Sequence, residues 1–165
     1  TNVLCQELVN TVISKKNLLV IYNQTNYCGE KMAKAKVRWM GDHSFVGTDS
    51  SNHSVVMGSV DKEMIGMKAS EMLLVALAGC SSYDVVSILE KRKIKLEKME
   101  VHVTADQDSD PPWTFEKIHM KYILSGAGLD GKQVEKAIEL SEGKYCSVAA
   151  TLKGKAEIKW EYVLE

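Results

Sequence analysis

The sequence predicts one α+β domain in which short strands in antiparallel groups surround a strongly apolar helix. Three observations support this fold class: short strand-like runs fill positions 34–59, a long apolar helical segment covers 70–92, and two alternating segments follow at 98–106 and 115–126. Strands that come in groups, rather than alternating one by one with helices, favour an α+β fold over a doubly wound parallel sheet.

The first strands are predicted from runs rich in β-branched and aromatic residues. These runs are KAKVRWM (34–40), SFVGT (44–48) and HSVVMGS (53–59), and they are broken by Gly, Asp, Asn and Ser. Together they predict an antiparallel meander. Residues 1–31 precede this pattern as an extension that fits an added helix or a partner-binding arm equally well, and the domain is expected to span 32–165.

The helix predicted over 70–92 has a plausible N-cap in Ser70 and basic residues in its last turn. Its first half, MLLVALAG, is apolar on all sides. A helix with this pattern is expected to be buried all round rather than to lie on a surface.

The remaining elements follow from alternation and capping signals. KMEVHVTAD (98–106) and FEKIHMKYILSG (115–126) predict a long hairpin with a turn at 108–112. Asp130 is expected to cap the helix DGKQVEKAIELSEG, which Gly143 would end. CSVAATL (146–152) fits one more helical segment, and KAEIKWEYVL (155–164) fits a closing strand. The predicted order is β-β-β-α-β-β-α-β.

Bulk composition is that of an ordinary globular protein. The 165 residues are 45% hydrophobic and 26% charged, with a formal net charge of −1. This charge gives no general attraction to nucleic acid or to an anionic membrane. We expect no secretory signal, because a basic segment is absent at the N-terminus, and the apolar runs LLVIY and MLLVALAG are too short to span a bilayer.

Four cysteines occur in the chain, namely Cys5, Cys28, Cys80 and Cys146, and none has CxxC or CxxH spacing. A structural metal site is therefore not expected. A chain of this size with a full core has no need of disulfide bonds, so we expect a cytoplasmic protein with reduced thiols.

Cys80 is the most informative of these residues, because it lies within the apolar helix between Ala78-Gly79 and Ser81-Ser82. Gly and Ser inside a helix cost stability, so their placement suggests a close approach by another group. A buried structural thiol is the alternative.

Cys146 also lies among small residues, and a two-cysteine reductant needs one sulfur that attacks and another that closes the disulfide. Their separation of 66 positions along the sequence is compatible with any geometry.

The segments SEMLLVALAGCSSYDVVSILEKR and IELSEGKYCSVAATL closely resemble the OsmC/Ohr family, the osmotically inducible and organic hydroperoxide resistance proteins. The resemblance runs from about Ala33 to Glu165. It implies an intertwined homodimer with curved sheets around two central helices, and thiol-dependent reduction of organic hydroperoxides without a cofactor. By the same resemblance Cys80 is the peroxidatic cysteine, Cys146 is the resolving cysteine, and a small dithiol such as a lipoyl group is the reductant.

The attacking thiol needs activation, because burial raises its pKa. Arg38 is the candidate cation, since the family's activating arginine comes from this N-terminal region. Peroxide-active members usually carry a glutamate ten residues before the first cysteine to hold that arginine. Ser70 occupies this position here, and Glu71, offset by one residue, is the candidate that would hold Arg38. The alternative for Arg38 is a solvated charge at the edge of the strand.

Asp84 lies one helical turn beyond Cys80 and is expected to share its face. It is a candidate anchor for Arg38, for a backbone amide or for a partner-chain group. The expected substrate pocket consists of Leu73, Leu77, Tyr83 and Asp84.

Two other functions remain open at this stage. The chain could be a non-catalytic module that binds a lipid or a small apolar ligand, which the departure at Ser70 favours. It could also be a thiol redox sensor that signals through residues 1–31.

Overall fold

The computed structural model describes residues 33–58 and 66–165. Within them the chain forms two small sheets and three α-helices, which confirms the α+β fold class. The elements are β1 (Ala35–Gly41), β2 (Ser44–Asp49), β3 (Ser54–Gly58), α1 (Ala69–Lys91), β4 (Lys95–Gln107), β5 (Phe115–Ala127), α2 (Gly131–Leu140), a π-helical segment (Ser141–Tyr145), α3 (Ser147–Leu152) and β6 (Glu157–Leu164). Residues 1–31, and with them Cys5 and Cys28, lie outside the described residues.

The first sheet is the predicted antiparallel meander, with strand order β1-β2-β3. Val37 pairs with Gly47, and Phe45 pairs with Met57. Met67, two residues before α1, is hydrogen-bonded to β3: its N–H donates to the carbonyl of Val56 at 3.0 Å. The entry to α1 is therefore held against this sheet.

The second sheet has the order β4-β5-β6 and contains one departure from the predicted antiparallel grouping. Strands β4 and β5 form the expected long antiparallel hairpin. Strand β6 instead runs parallel to β5, with Lys117 opposite Glu157 and Leu124 opposite Leu164. The crossover through α2 and α3 returns the chain to the end at which β5 begins, and a connection of this kind joins parallel strands.

Helix α1 buries a single row of residues within the chain, so the expectation of burial on all sides is wrong for one protomer. The buried residues are Leu77, Ser81, Val85 and Leu89, spaced four apart, and this row faces β4 and α2. Apolar side chains elsewhere on the helix stay exposed. Val75, for example, is 55% exposed.

The ends of α1 also differ from expectation. The helix begins at Ala69, its N-cap is Lys68 without a side-chain hydrogen bond, and Ser70 lies in the first turn. Ser70 is therefore not the cap. The whole of α1 is long and apolar enough to cross a membrane, judged by length and composition alone. The expectation that no segment is long enough considered only the run MLLVALAG, which is part of this helix.

The predicted cap of α2 is confirmed. The Asp130 carboxylate accepts the N–H of Gln133 at 2.9 Å, and the Gln133 side chain accepts the N–H of Asp130 at 3.0 Å. Gly143 does not end this helix. The helix ends at Leu140, and Gly143 lies in the π-helical segment that follows.

The core lies between the second sheet and the three helices. None of its buried residues comes from β1–β3, although the described part of the chain includes all three of these strands. The core residues are Leu77, Val85, Leu89, Ile94, Ile118, Met120, Tyr122, Leu124, Val134, Ala137, Ile138, Cys146, Ala149 and Ala156.

Candidate active site

The fold brings Cys80 and Cys146 together although 66 positions separate them in the sequence. Their sulfur atoms and a carboxylate oxygen of Asp84 all lie within 4.8 Å of one another. Both cysteines are free thiols; Cys80 is half-buried, and Cys146 is only 2% exposed. Cys80 is thus accessible from solvent, and Cys146 lies behind it in the core.

Helix α1 and the beginning of α3 position these three side chains. Cys80 and Asp84 are one turn apart on α1, as expected. Cys146 is the N-cap residue of α3, and its sulfur accepts the N–H of Ala149 at 3.3 Å. The π-helical segment immediately before Cys146 sets where α3 begins. Such segments occur frequently at functional sites.

The pKa of Cys80 is lowered from the usual value of a thiol. Burial is the largest single influence and acts to raise this pKa, but hydrogen-bond donors around the sulfur together outweigh it. The donors are the N–H of Val148, the thiol of Cys146, and the hydroxyl and N–H of Ser147. No lysine or arginine among the described residues is one of the main influences on the pKa of Cys80. Donors at the start of α3 therefore favour the thiolate of Cys80.

The pKa of Cys146 moves the opposite way. Burial is the main cause and, together with the neighbouring Cys80, raises it to about 11 against the opposing N–H groups of Ala149 and Val148. At neutral pH Cys146 therefore remains a thiol that can donate a hydrogen bond to the Cys80 thiolate. The two sulfurs are chemically distinct before any reaction begins.

A chain of hydroxyl groups runs from the thiol site into the core. The Ser141 hydroxyl donates to Asp84 Oδ2 at 3.0 Å and lies 3.0 Å from the Ser81 hydroxyl, which lies 2.6 Å from the Tyr122 hydroxyl. Ser81, Ser141 and Tyr122 are all fully buried. Burial raises the pKa of Tyr122 well above its usual value, so this phenol stays protonated. The network fixes the orientation of the Asp84 carboxylate.

Glu142, next to Ser141, is a further buried acid. Its Oε1 atom is buried without a hydrogen-bond partner among the described residues. Burial raises the pKa of Glu142, and the charge of Lys153 opposes this. The Lys153 ammonium donates instead to the backbone carbonyl of Glu142 at 2.6 Å. We therefore expect Glu142 to be protonated more readily than an ordinary glutamate.

The residues expected to activate Cys80 lie apart from the sulfurs in a single chain. Arg38 is exposed on β1 and forms no ion pair with any described residue. Glu71 is exposed in the first turn of α1 and pairs with Lys68 at 3.1 Å. Their proposed partnership does not form within one protomer, and their roles remain predictions.

The four residues of the expected pocket have different surroundings. Leu77 is fully buried in the core and offers no surface to a ligand in this chain. Leu73 is 37% exposed, Tyr83 is 75% exposed, and Asp84 is half-buried beside the sulfurs. Between α1 and β4 lies an open apolar groove of about 330 Å³, lined by Leu74, Val75, Ala78, Gly79, Ser82, Val101 and Val103.

No site role was predicted from the sequence for Ser81, Ser141, Tyr122, Glu142 or Ser147. One signal was available for Ser81, because it occupies the same helical row as Leu77 and Val85. A polar residue in a buried row requires a hydrogen-bond partner. Nothing in the local sequence identifies that partner as Tyr122, which lies on a different element.

Comparison with known proteins supports the relationship suggested by the cysteine motifs. The family model for OsmC-like proteins matches residues 60–161. The protein YhfA of Escherichia coli K12 is 37% identical over 131 residues, which cover 78% of this chain and 96% of YhfA.

Solved structures show the same fold. An OsmC-like protein from Mycoplasma pneumoniae matches with a TM-score of 0.72 and 16% identity, covering 82% of this chain and 99% of its own. An organic hydroperoxide resistance protein OsmC from Legionella pneumophila matches with a TM-score of 0.60 and 13% identity, covering 79% and 96%. These structures share the fold, and the family model together with YhfA identifies this chain as a member of the OsmC-like family.

Proposed function

We propose that this protein reduces organic hydroperoxides, with Cys80 as the attacking sulfur and Cys146 as the resolving sulfur. The observation that carries the proposal is the pairing of two free thiols within 4.8 Å whose pKa values are shifted in opposite directions. Groups in one site whose pKa values are pushed apart typically take different roles in a reaction. The Legionella structure of the same fold is that of an organic hydroperoxide resistance protein.

In the first step the Cys80 thiolate attacks the terminal oxygen of the hydroperoxide. A sulfur–oxygen bond forms, the oxygen–oxygen bond breaks, and the alkoxide leaves and takes up a proton to become an alcohol. Cys80 is then a sulfenic acid. In the second step the Cys146 sulfur attacks Cys80, hydroxide leaves, and the Cys146 proton converts it to water.

Disulfide closure requires little movement of the two sulfurs. They lie within 4.8 Å of each other, and a disulfide bond is about 2.0 Å long, so they must approach by no more than about 3 Å. A small dithiol, of which a lipoyl group is an example, then reduces the disulfide by two exchanges and is itself oxidised. Thiols are kept reduced in the cytoplasm, where a dithiol reductant would be available. A cytoplasmic location is therefore part of this proposal.

A homodimer is part of the proposal. Val37, Trp39 and Met40 on β1 are each more than half exposed, as is Val75 on α1. Large exposed apolar side chains of this kind favour a protein interface. A second copy would cover both surfaces, and it is the expected source of Arg38 and Glu71 near each Cys80.

Peroxide consumption with purified variants tests the proposal. The reduced protein is mixed with cumene hydroperoxide and dihydrolipoamide, and peroxide loss is followed for wild type, Cys80→Ser and Cys146→Ser. A double Cys5→Ser/Cys28→Ser variant serves as a matched thiol control. We expect turnover in the wild type and the control, none in Cys80→Ser, and a trappable sulfenic acid in Cys146→Ser. Equal peroxide loss in all four proteins would refute the assignment.

A non-catalytic apolar-ligand module is the second candidate, and the pairing of Glu71 with Lys68 favours it. In that case Glu71 does not hold an activating arginine, and the groove between α1 and β4 is the binding surface. Absence of peroxide consumption together with stoichiometric fatty-acid binding would support this alternative. The sensor role expected of residues 1–31 lies outside the described residues and stays a prediction.

A further inference from the structure

The Asp84 carboxylate next to the two sulfurs has no evident role in peroxide reduction. An anion beside Cys80 opposes formation of the thiolate, and Asp84 lies on the same face of α1 one turn away. The fold nevertheless holds this carboxylate in place through Ser141. A carboxylate that is unfavourable for thiolate formation, but is held in place by a hydrogen bond from a fully buried serine, indicates a second use of the site.

Thiolate sulfur and carboxylate oxygen are both ligands that Zn²⁺ binds in proteins, and this site offers two sulfurs and one carboxylate oxygen. Zinc binds thiolate sulfur at about 2.3 Å and carboxylate oxygen at about 2.0–2.2 Å, which places tetrahedral ligand atoms about 3.5–3.8 Å apart. The three atoms here lie within 4.8 Å of one another. If the distances between these three atoms shortened by about 1 Å, the scale of a small side-chain rotation, the atoms would fit around a tetrahedral zinc ion.

The surroundings of the site fit a bound cation as well. Metal-binding carboxylates are commonly oriented by a further hydrogen bond, and Ser141 supplies one to Asp84. Ser141 in turn lies against Ser81 in the buried network. Cys80 is half-buried, so an ion has a path from solvent, and three protein ligands leave the fourth position for water.

We propose that the reduced protein binds one thiophilic divalent cation, of the Zn²⁺ class, through Cys80, Asp84 and Cys146. Binding displaces the thiol protons to solvent, and no atom is oxidised or reduced. Because the same two sulfurs form the disulfide, the metal-bound and disulfide states exclude each other. This site does not depend on peroxide reduction, since the same geometry binds a cation in a protein that never reduces a peroxide.

Metal titration of the full chain tests the proposal without measuring activity. Reduced, metal-free protein is titrated anaerobically with Co²⁺, and Zn²⁺ affinity is measured by competition with a chromogenic chelator. We expect one ion per chain and a sulfur-to-cobalt charge-transfer band, both lost in Cys80→Ser and in Cys146→Ser. Ser141→Ala, which removes the hydrogen bond that orients Asp84, is expected to weaken Zn²⁺ binding by about tenfold to 100-fold. Asp84→Asn, which replaces a ligand, is expected to weaken it at least as much.

Matched controls keep the outcome interpretable. Glu90→Gln removes an exposed carboxylate from the same helix, and Cys5→Ser/Cys28→Ser removes the other two thiols; neither change should alter binding. Circular dichroism of each variant establishes that it is folded. Prior oxidation to the Cys80–Cys146 disulfide should abolish binding. The proposal is overturned if reduced wild type binds no ion, or if folded Cys80→Ser or folded Asp84→Asn binds as tightly as wild type.

Discussion

The hydroxyl of Ser141 donates a 3.0 Å hydrogen bond to the carboxylate of Asp84, and so connects the π-helical segment to the helix that carries Cys80. Ser141 also lies 3.0 Å from Ser81, which continues the network to Tyr122. Ser141 thereby joins the π-helical segment to α1, and Ser81 joins α1 to β5, so these buried hydroxyl groups hold the three elements in a defined register. The position of Cys146 relative to Cys80 therefore depends on more than apolar packing.

Ser141→Ala should destabilise the fold by about 1–3 kcal/mol, because it removes the hydrogen bond donated to Asp84 and leaves the buried Ser81 hydroxyl without one of its partners. Ser109→Ala, in an exposed turn, is the matched control and should change stability by less than about 0.5 kcal/mol. Urea unfolding of the two variants measures the difference. Equal midpoints and slopes for the two would show that the network contributes nothing to stability.

Alkylation should distinguish the two thiols by pH. Hydrogen-bond donors lower the pKa of Cys80 against the effect of burial, and burial raises the pKa of Cys146 to about 11. Since only the thiolate reacts, labelling of Cys80 by iodoacetamide should persist to lower pH than labelling of an ordinary thiol, and should be lost as pH falls through its pKa. Peptide mass spectrometry across the pH range reports each site. Faster labelling of Cys146 at neutral pH would reverse the assigned roles.

Ser147→Ala should raise the pKa of Cys80 by only a small amount. The Ser147 hydroxyl oxygen lies 4.0 Å from the Cys80 sulfur, and the N–H groups of Ser147 and Val148 remain in the variant. A shift below about one pKa unit, or less than tenfold in thiolate fraction, is expected. The pH dependence of Cys80 alkylation in this variant gives the value. A shift of two units or more would mean that the hydroxyl, rather than the amides, dominates.

Val75→Lys should convert the proposed dimer to a monomer. Val75 is 55% exposed on α1 in one protomer and lines the apolar groove against β4. A lysine there would place a charge within the interface at a cost of several kcal/mol. Light scattering after gel filtration reports the mass, with Glu90→Lys at the end of the same helix as the control. A Val75→Lys variant with the same mass as wild type would rule out an interface on this face.

Gly79→Ala is a finer test of the same surface. A methyl group at Gly79 meets no atom within 4 Å in the single chain. In an isolated protomer alanine should therefore stabilise α1 by about 1 kcal/mol. If a second copy packs closely on this face, the substitution should weaken the dimer instead. A thermal melt at two protein concentrations separates the outcomes, and stabilisation independent of concentration would contradict close packing at Gly79.

Much of the fold could be predicted because local patterns determine it. Alternation identified β4 and β5, turn residues separated β1 to β3, and Asp130 with Gln133 carried a capping signal that depends on a few adjacent residues. The parallel pairing of β6 was missed, because it depends on where the chain re-enters the sheet after α3. The burial of α1 within one chain was overestimated. The sequence shows which residues of the helix are apolar, but it does not show whether the same chain or a second molecule covers them.

The site could be predicted only in part. The recognised motifs selected Cys80 and Cys146, and helical spacing placed Asp84 beside Cys80. The largest donor influence on the pKa of Cys80 is the backbone N–H of Val148, which any residue except proline could supply, so the sequence gives no signal for it. Ser141 was missed because its partners, Asp84 and Ser81, are 57 and 60 positions away in the sequence.

Disulfide formation on stoichiometric oxidation tests the redox pair most directly. Reduced protein is treated with one equivalent of cumene hydroperoxide, quenched with an alkylating agent, digested without reduction and analysed by mass spectrometry. We predict a linked peptide pair containing Cys80 and Cys146, together with loss of two hydrogen atoms from the intact mass. Recovery of both residues as alkylated thiols, with the peroxide unconsumed, would contradict the account.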